Sequence, residues 1–283
     1  MRYLFLRKKR GGIKGMSWFK RLDDARQAFL DRDLEASARA HDPSHIAQAA
    51  QEQHGGATSQ YIGDMVYGGL DGIITTFAVV SGVAGAQLSS DIVLILGLAN
   101  LFADGFSMAT GAYLSAKSEQ EYYDREQQRE AWEIEHFPEG ERAELYAIYR
   151  SRGYSEEDAQ NLVEIQTRNS ERWVKAMMVD ELGMLPDENN PLVSGLATLV
   201  AFVVAGAIPL LIYLLDLVVD IPDSTAFPTS LVLSGLALFG LGAAKVLITK
   251  LNAVRSGVEM LLVGGLAAVV AYLVGALLKG VGG

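Results

Sequence analysis

Five apolar runs, each long enough to cross a lipid bilayer, constrain this chain more than any other feature. They lie at Ile62–Gln87, Ile92–Ala116, Leu192–Leu215, Phe227–Ile248 and Val258–Leu278. A bilayer core takes about 20 predominantly apolar residues in helical form. A soluble domain of 283 residues has no means of burying five such runs. The chain therefore reads as an all-α integral membrane protein with five transmembrane helices and a helical insertion between the second and third. The first, second and fifth runs are rich in glycine, which lets membrane helices approach closely.

Charge is segregated along the chain. The formal net charge is −10, and the segment Lys117–Glu188 alone holds 19 acids against 9 bases. The remainder is balanced. Four stretches follow: an N-terminal segment over 1–60, spans one and two over 61–116, an acidic helical domain over 117–190, and spans three to five over 191–283. The acidity argues against nucleic acid as a partner. The chain has no Cys, which excludes disulfides, thiolate metal sites and a Cys nucleophile.

Lys and Arg in short loops set orientation. The connections Leu88–Asp91 and Asp216–Ala226 carry none, whereas Thr249–Gly257 carries Lys250 and Arg255. Eleven bases precede span one. These counts put the N-terminus and the acidic domain in the cytosol and the C-terminus outside or in a lumen. The basic run Arg7–Arg10 follows the short apolar start, the reverse of a secretory signal. Met1 and Met16 are both candidate starts. Trp18–Ala40 has a helical apolar pattern through Trp18, Leu22, Ala25, Phe29 and Leu34, suited to the membrane surface or to packing on the acidic domain. His41 and His45 stand four apart, but Pro43 between them favours a polar linker.

Within the acidic domain, span two is expected to continue as a helix through Lys117–Trp132. A turn at Pro138–Gly140, a helix over Glu141–Arg152 stopped by Gly153, and a third helix from the Ser155 N-cap to about Leu182 are expected next. Glu126, Glu130 and Glu133 share one face of the first helix, and Glu141 and Glu144 share one face of the second. Met177, Met178 and Glu181 close the third. Like charges at helical spacing repel, so such a cluster is either solvated or bridged by a cation. Carboxylates beside thioethers suit Fe²⁺, Mn²⁺, Co²⁺ or Zn²⁺ better than Mg²⁺ or Ca²⁺. On these residues alone two readings stay open: a divalent-metal site, or a solvated acidic domain with Met in its core.

Carboxylates also fall inside the apolar runs. Asp71 lies well within span one, and Asp64 is two turns before it on a similar face. On span two, Asn100, Asp104 and Met108 recur every four residues, with Ser107 and Gly111 beside them. An ionised Asp at bilayer centre costs about 2.5–3.5 kcal/mol on insertion scales, so such groups face a cavity, an ion path or a partner. Two carboxylates, an amide and a thioether along one seam make a route for a divalent cation, and the carboxylates can exchange protons. The alternative is a hydrogen-bonded lock between helices.

These residues resemble the vacuolar iron transporter family. The resemblance is carried by Gly69-Leu70-Asp71-Gly72-Ile73-Ile74-Thr75-Thr76-Phe77-Ala78, by Ser107-Met108-Ala109-Thr110-Gly111-Ala112-Tyr113-Leu114-Ser115, by Met177-Met178-Val179-Asp180-Glu181, and by Ser256-Gly257-Val258-Glu259-Met260. It covers the chain from about Tyr61 to the C-terminus. It implies five spans, a cytoplasmic metal-binding domain, and a homodimer with the ion path between subunits. It also implies Fe²⁺ leaving the cytosol in exchange for H⁺, with no permanent cofactor. By motif position, Asp71 and Met108 are the implied translocation ligands. Glu130, Glu133, Glu141, Glu144, Met177, Met178 and Glu181 are the implied cytoplasmic ligands. The family often has Glu two turns before the span-two Met; here that position is Asn100, and Asp104 follows one turn later. Asp104 is the candidate to take the missing carboxylate's part. No vacuolar address is evident, and a prokaryotic plasma membrane fits equally. Two competing functions are a membrane-anchored metal sensor or buffer, and an intramembrane aspartyl hydrolase using Asp71 and Asp104. Against the second, Gly68-Gly69-Leu70-Asp71 is not the Gly-x-Gly-Asp pattern of such proteases.

Overall fold

The computed structural model describes residues 20–40, 57–186, 189–245 and 252–280. The His41/His45 pair, Trp18 and the two candidate starts lie outside them. Among the described residues every regular element is helical and none is a strand. The N-terminal unit contains α1 (Lys20–Asp31) and α2 (Leu34–Ala40). The single helix expected here is broken at Arg32, whose φ of 54° is left-handed. Asp33 then caps α2, its Oδ1 accepting from the Ala36 N–H at 3.0 Å. Ala28 is buried and Phe29 is exposed, so the apolar face departs from the expected Phe29 stripe.

The second unit begins with α3 (Ala57–Ala86), followed by α4 (Ser90–His136). The acidic insertion holds α5 (Pro138–Ser151), α6 (Glu156–Thr167) and α7 (Ser170–Asp180). Next come α8 (Pro191–Gly206), a tight turn at Ile208–Leu210 and α9 (Leu211–Asp216). The chain closes with α10 (Asp223–Ala244) and α11 (Ala253–Leu277). Five segments are long and apolar enough to cross a membrane: Tyr61–Ala86, Ser90–His136, Pro191–Asp216, Ser224–Ala244 and Ala253–Leu277. They coincide with the five apolar runs to within about five residues wherever the ends are described, except that the second helix continues past Ala116 to His136.

Helix α3 is the hub of the bundle, packed on α8, α11, α4 and α10. Its backbone touches that of α8 directly. A Cβ on Gly206 would lie 2.8 Å from the Gly72 carbonyl oxygen, and one on Gly72 would strike the Phe202 carbonyl. Small residues at such crossings replace the hydrophobic drive that lipid cannot supply. Span three is not the uninterrupted helix its hydropathy suggests. Pro209 lacks an N–H and breaks the ladder, and its carbonyl accepts the Ser230 hydroxyl of α10 at 2.6 Å. In lipid, a broken helix needs such a donor.

The insertion has its own hydrophobic core, in which Leu145, Tyr149, Trp173, Met177 and Met178 meet Ile134 near the far end of α4. Two details depart from expectation. Pro138 starts α5 instead of forming a turn, because proline at the first helical position loses no hydrogen bond. The expected third helix is two helices, since Asn169 caps α7 by accepting from the Arg172 N–H at 2.8 Å. Gly153 ends α5 at φ 93°, and the Ser155 hydroxyl accepts from the Asp158 N–H at 3.1 Å, both as expected.

Candidate metal pathway and carboxylate cluster

Two sites emerge, joined by α4. With about 1.5 Å of rise per residue, this helix of 47 residues is about 70 Å long. Its first half lies among the spans and its second half belongs to the acidic domain.

The first site is a cleft of about 490 Å³ among α3, α4 and α8. Its walls include Asp64 and Tyr67 from α3, Asp104, Ser107, Met108 and Glu119 from α4, and Ser194 and Thr198 from α8. The ends of the three helices that form it are those nearest the acidic domain, so it opens toward that domain. Asp64 accepts a hydrogen bond from the buried Ser194 hydroxyl. Thr198 turns its hydroxyl back to the Ser194 carbonyl at 2.9 Å. Of the five residues read as a single seam, Asp64, Asp104 and Met108 line the cleft. Asp71 and Asn100 do not; they lie one turn beyond its wall residues Tyr67 and Asp104 along their own helices. Asp71 is half-buried. The Asn100 amide nitrogen is buried with no hydrogen-bond partner, an arrangement that costs about 1–3 kcal/mol unless something fills it. Ser107, Gly111 and Ser115 also line the cleft and are exposed in this single chain, so the cleft is open on that side.

The second site is in the insertion. Carboxylate oxygens of Glu130, Glu133 and Glu141 converge within 4.8 Å of one another, and so do those of Glu141, Glu144 and Glu181. Glu141 belongs to both groups, so five carboxylates from α4, α5 and the end of α7 form one cluster. Glu130 is 1 % exposed and Glu141 6 %, and one oxygen of each has no hydrogen-bond partner. Burial first, then the Glu181 charge, pushes the Glu130 carboxyl up to about 7. Burial, then the Glu130 charge, pushes Glu141 up to about 7 as well. Glu181 is raised by burial and by Glu144. A buried carboxylate oxygen left without a donor calls for a proton or a cation. Met177 and Met178 are fully buried in the domain core, and Met177 sits one turn before Glu181, whose N–H bonds its carbonyl at 2.9 Å.

One further side chain, which escaped the sequence reading, ties the cluster's edge together. Arg129 donates to Glu126 at 2.9 Å and to both Glu130 and Glu133 at 2.6 Å. Its hydrogen bond, with that of Arg125, holds the Glu126 carboxyl below the usual carboxylate range. The signal was present, since Arg129 stands three residues after Glu126 and four before Glu133.

Five apolar spans, a polar cleft between three of them and a carboxylate cluster on the extension of one span define a multi-pass membrane protein built to handle cations. The model of the VIT family matches residues 62–276. A vacuolar iron transporter of Toxoplasma gondii is 39 % identical over 267 residues, covering 91 % of this chain and 88 % of that protein. One from Plasmodium falciparum is 35 % identical over 92 % of this chain and 97 % of its own length. Vacuolar iron transporter 1 of Arabidopsis thaliana is 37 % identical over 75 % of this chain and 84 % of its own. The chain belongs to the VIT family. It is a membrane transporter and not an aspartyl hydrolase.

Proposed function

We propose that this metal-ion transporter moves Fe²⁺, and Mn²⁺ as a second ion, out of the cytosol in exchange for H⁺. The observation that carries this reading is the pairing of two cation-competent sites along one helix. The cluster around Glu130 and Glu141 collects ions and raises their concentration at the inner mouth. The cleft with Asp64, Asp104 and Met108 receives them, and Asp71 and Asn100 lie on the way through. The relatives named for iron transport support Fe²⁺ as the cargo. The Met177 and Met178 thioethers beside Glu181 favour a borderline metal over Mg²⁺ or Ca²⁺.

Protons enter the scheme through carboxylates. Asp71 and Asp104 stand on neighbouring spans, and each carboxyl can exchange a proton. A cation arriving between them displaces a proton, and a proton arriving from the far side releases the cation. Asp104 takes the role that Asn100 cannot, since an amide does not exchange protons.

The basic loops support a cytosolic N-terminus and acidic domain, with the C-terminus on the far side. A homodimer closes the exposed side of the cleft, where Ser107, Gly111 and Ser115 stand and which lipid would otherwise face. The membrane is the plasma membrane in a prokaryote and an organelle's in a cell that has one.

Flux into proteoliposomes under an imposed pH gradient, with Fe²⁺, Mn²⁺, Co²⁺ and Zn²⁺ in turn, tests the proposal. Metal-dependent, gradient-driven uptake is expected. Binding without flux would instead make the protein a membrane-anchored sensor or buffer. Asp104→Asn is expected to uncouple metal flux from the pH gradient. Proton-coupled transport that survives Asp104→Asn yet is lost in Asp71→Asn would remove Asp104 from the mechanism.

A further inference from the structure

We propose that Arg129 is a built-in competitor for the metal site, and that Glu126 is where it withdraws when an ion binds. The inference rests on the reading of the carboxylate cluster as a metal site. The guanidinium commits all three of its nitrogens to carboxylates: Nε to Glu126 at 2.9 Å, Nη2 to Glu130 and Nη1 to Glu133, each at 2.6 Å. Glu130 and Glu133 are also two of the three residues whose oxygens converge in the first ligand group. Arg129 and an ion therefore draw on the same two residues: the guanidinium holds Glu130 Oε1 and Glu133 Oε2 while Glu130 Oε2 is left without a partner, and a divalent ion bound there beside a guanidinium meets strong like-charge repulsion.

Glu126 differs from its neighbours. It belongs to neither ligand group, and its two oxygens are shared, Oε1 with Arg125 at 3.1 Å and Oε2 with Arg129. Arg129 is 41 % exposed on a long side chain, so it can swing toward solvent without disturbing the core. When an ion takes Glu130 and Glu133, the guanidinium keeps Glu126 and leaves the other two. When no ion is held, it offsets the repulsion of the cluster. The arrangement sets an affinity threshold: ions weakly attracted to oxygen do not displace the fork.

The test is a Mn²⁺ titration by calorimetry on the full-length protein in detergent, as a double-mutant cycle. Arg129→Gln is expected to tighten Mn²⁺ binding about fivefold, the upper scale of one exposed ion pair. Glu126→Gln is expected to weaken it about threefold, because Arg129 then has only the ligands to hold. In the double variant the Glu126→Gln effect should vanish. Weaker binding in Arg129→Gln would overturn the proposal, making Arg129 a support for the ligands. So would an equal Glu126→Gln effect in both backgrounds, the signature of a simple long-range field. Arg129→Lys serves if Arg129→Gln does not fold: tightening of about threefold is expected, because an ammonium lacks the planar fork, and unchanged or weaker binding refutes competition. The Glu130→Gln/Glu141→Gln pair separates the two levels of argument. If it leaves Mn²⁺ binding intact, the cluster is not the metal site and both readings fall; if it abolishes binding while the cycle is additive, only the role of Arg129 falls.

Discussion

The cleft among the spans and the cluster in the acidic domain use the same chemical groups in opposite ways. In the cluster, five carboxylates converge, two of them almost fully buried, and a guanidinium is locked onto the edge. In the cleft Asp64 and Asp104 stand on separate helices, half-exposed, and Asp64 is held by the neutral Ser194 hydroxyl. A crowded, desolvated set of anions binds cations tightly and gives them up slowly. A sparse set binds weakly and passes them on, which a conducting path requires. On the function proposed above, this division of labour keeps tight binding out of the membrane, where it would stall flux.

The largest expected effect separates the two sites outright. Asp71→Ala should abolish metal flux in proteoliposomes while leaving Mn²⁺ binding by calorimetry unchanged. Loss of both together would mean that the cleft and the cluster are one energetic unit. Next, Glu130→Gln with Glu141→Gln should weaken Mn²⁺ binding by about 10–100-fold, the scale of losing charge-assisted ligands. Flux should then fall at low ion concentration and recover at high concentration; a lower maximal rate would place the cluster inside the translocation step.

A smaller effect is set by pH. Glu130 and Glu141 are pushed to about 7 in the folded domain, against about 4.3 for a free Glu. The folded state therefore binds more protons than the unfolded chain between those values. The stability this confers on metal-free protein is full below about pH 4.3 and is lost as pH rises through about 7. Metal binding runs the other way, because an ion displaces those protons, so affinity should rise with pH through the same window. Thermal unfolding from pH 5 to pH 8, with and without Mn²⁺, checks both signs; a metal-free melting temperature that rises over this range would show that the carboxyls are not held protonated. Smallest is Ser155→Ala, which removes the cap of α6 at a cost of about 1 kcal/mol. It should lower the denaturation midpoint of the acidic domain and leave initial flux at saturating ion unchanged.

The five spans were legible because lipid demands length and hydropathy, and those are written locally. So was the continuation of α4 into the acidic domain, since no proline interrupts it before Pro138. The break at Pro209 was hidden by the surrounding Leu and Ile, and the division before α7 turned on one side-chain cap at Asn169. At the sites, helical spacing grouped Glu130 with Glu133 and Glu141 with Glu144, but their convergence across three elements is a tertiary fact. Spacing likewise placed Asp64 and Asp71 on similar faces, yet the cleft meets only Asp64, because its floor is decided by how α3 crosses α8. Arg129 was passed over because a base among many acids reads as surface neutralisation, whereas its fork geometry singles it out.

The length of α4 has a mechanical consequence. No break interrupts it from Ser90 to His136, so the polar wall of the cleft and two ligands of the cluster ride on one stiff rod. The stretch from Met108 to Glu130 projects by about 30 Å at the helical rise per residue. A tilt of about 5° at the membrane end therefore sweeps the far end through about 3 Å, more than the length of a metal–oxygen bond. Movements of the span too small to notice at the cleft itself are thus amplified at the carboxylate cluster.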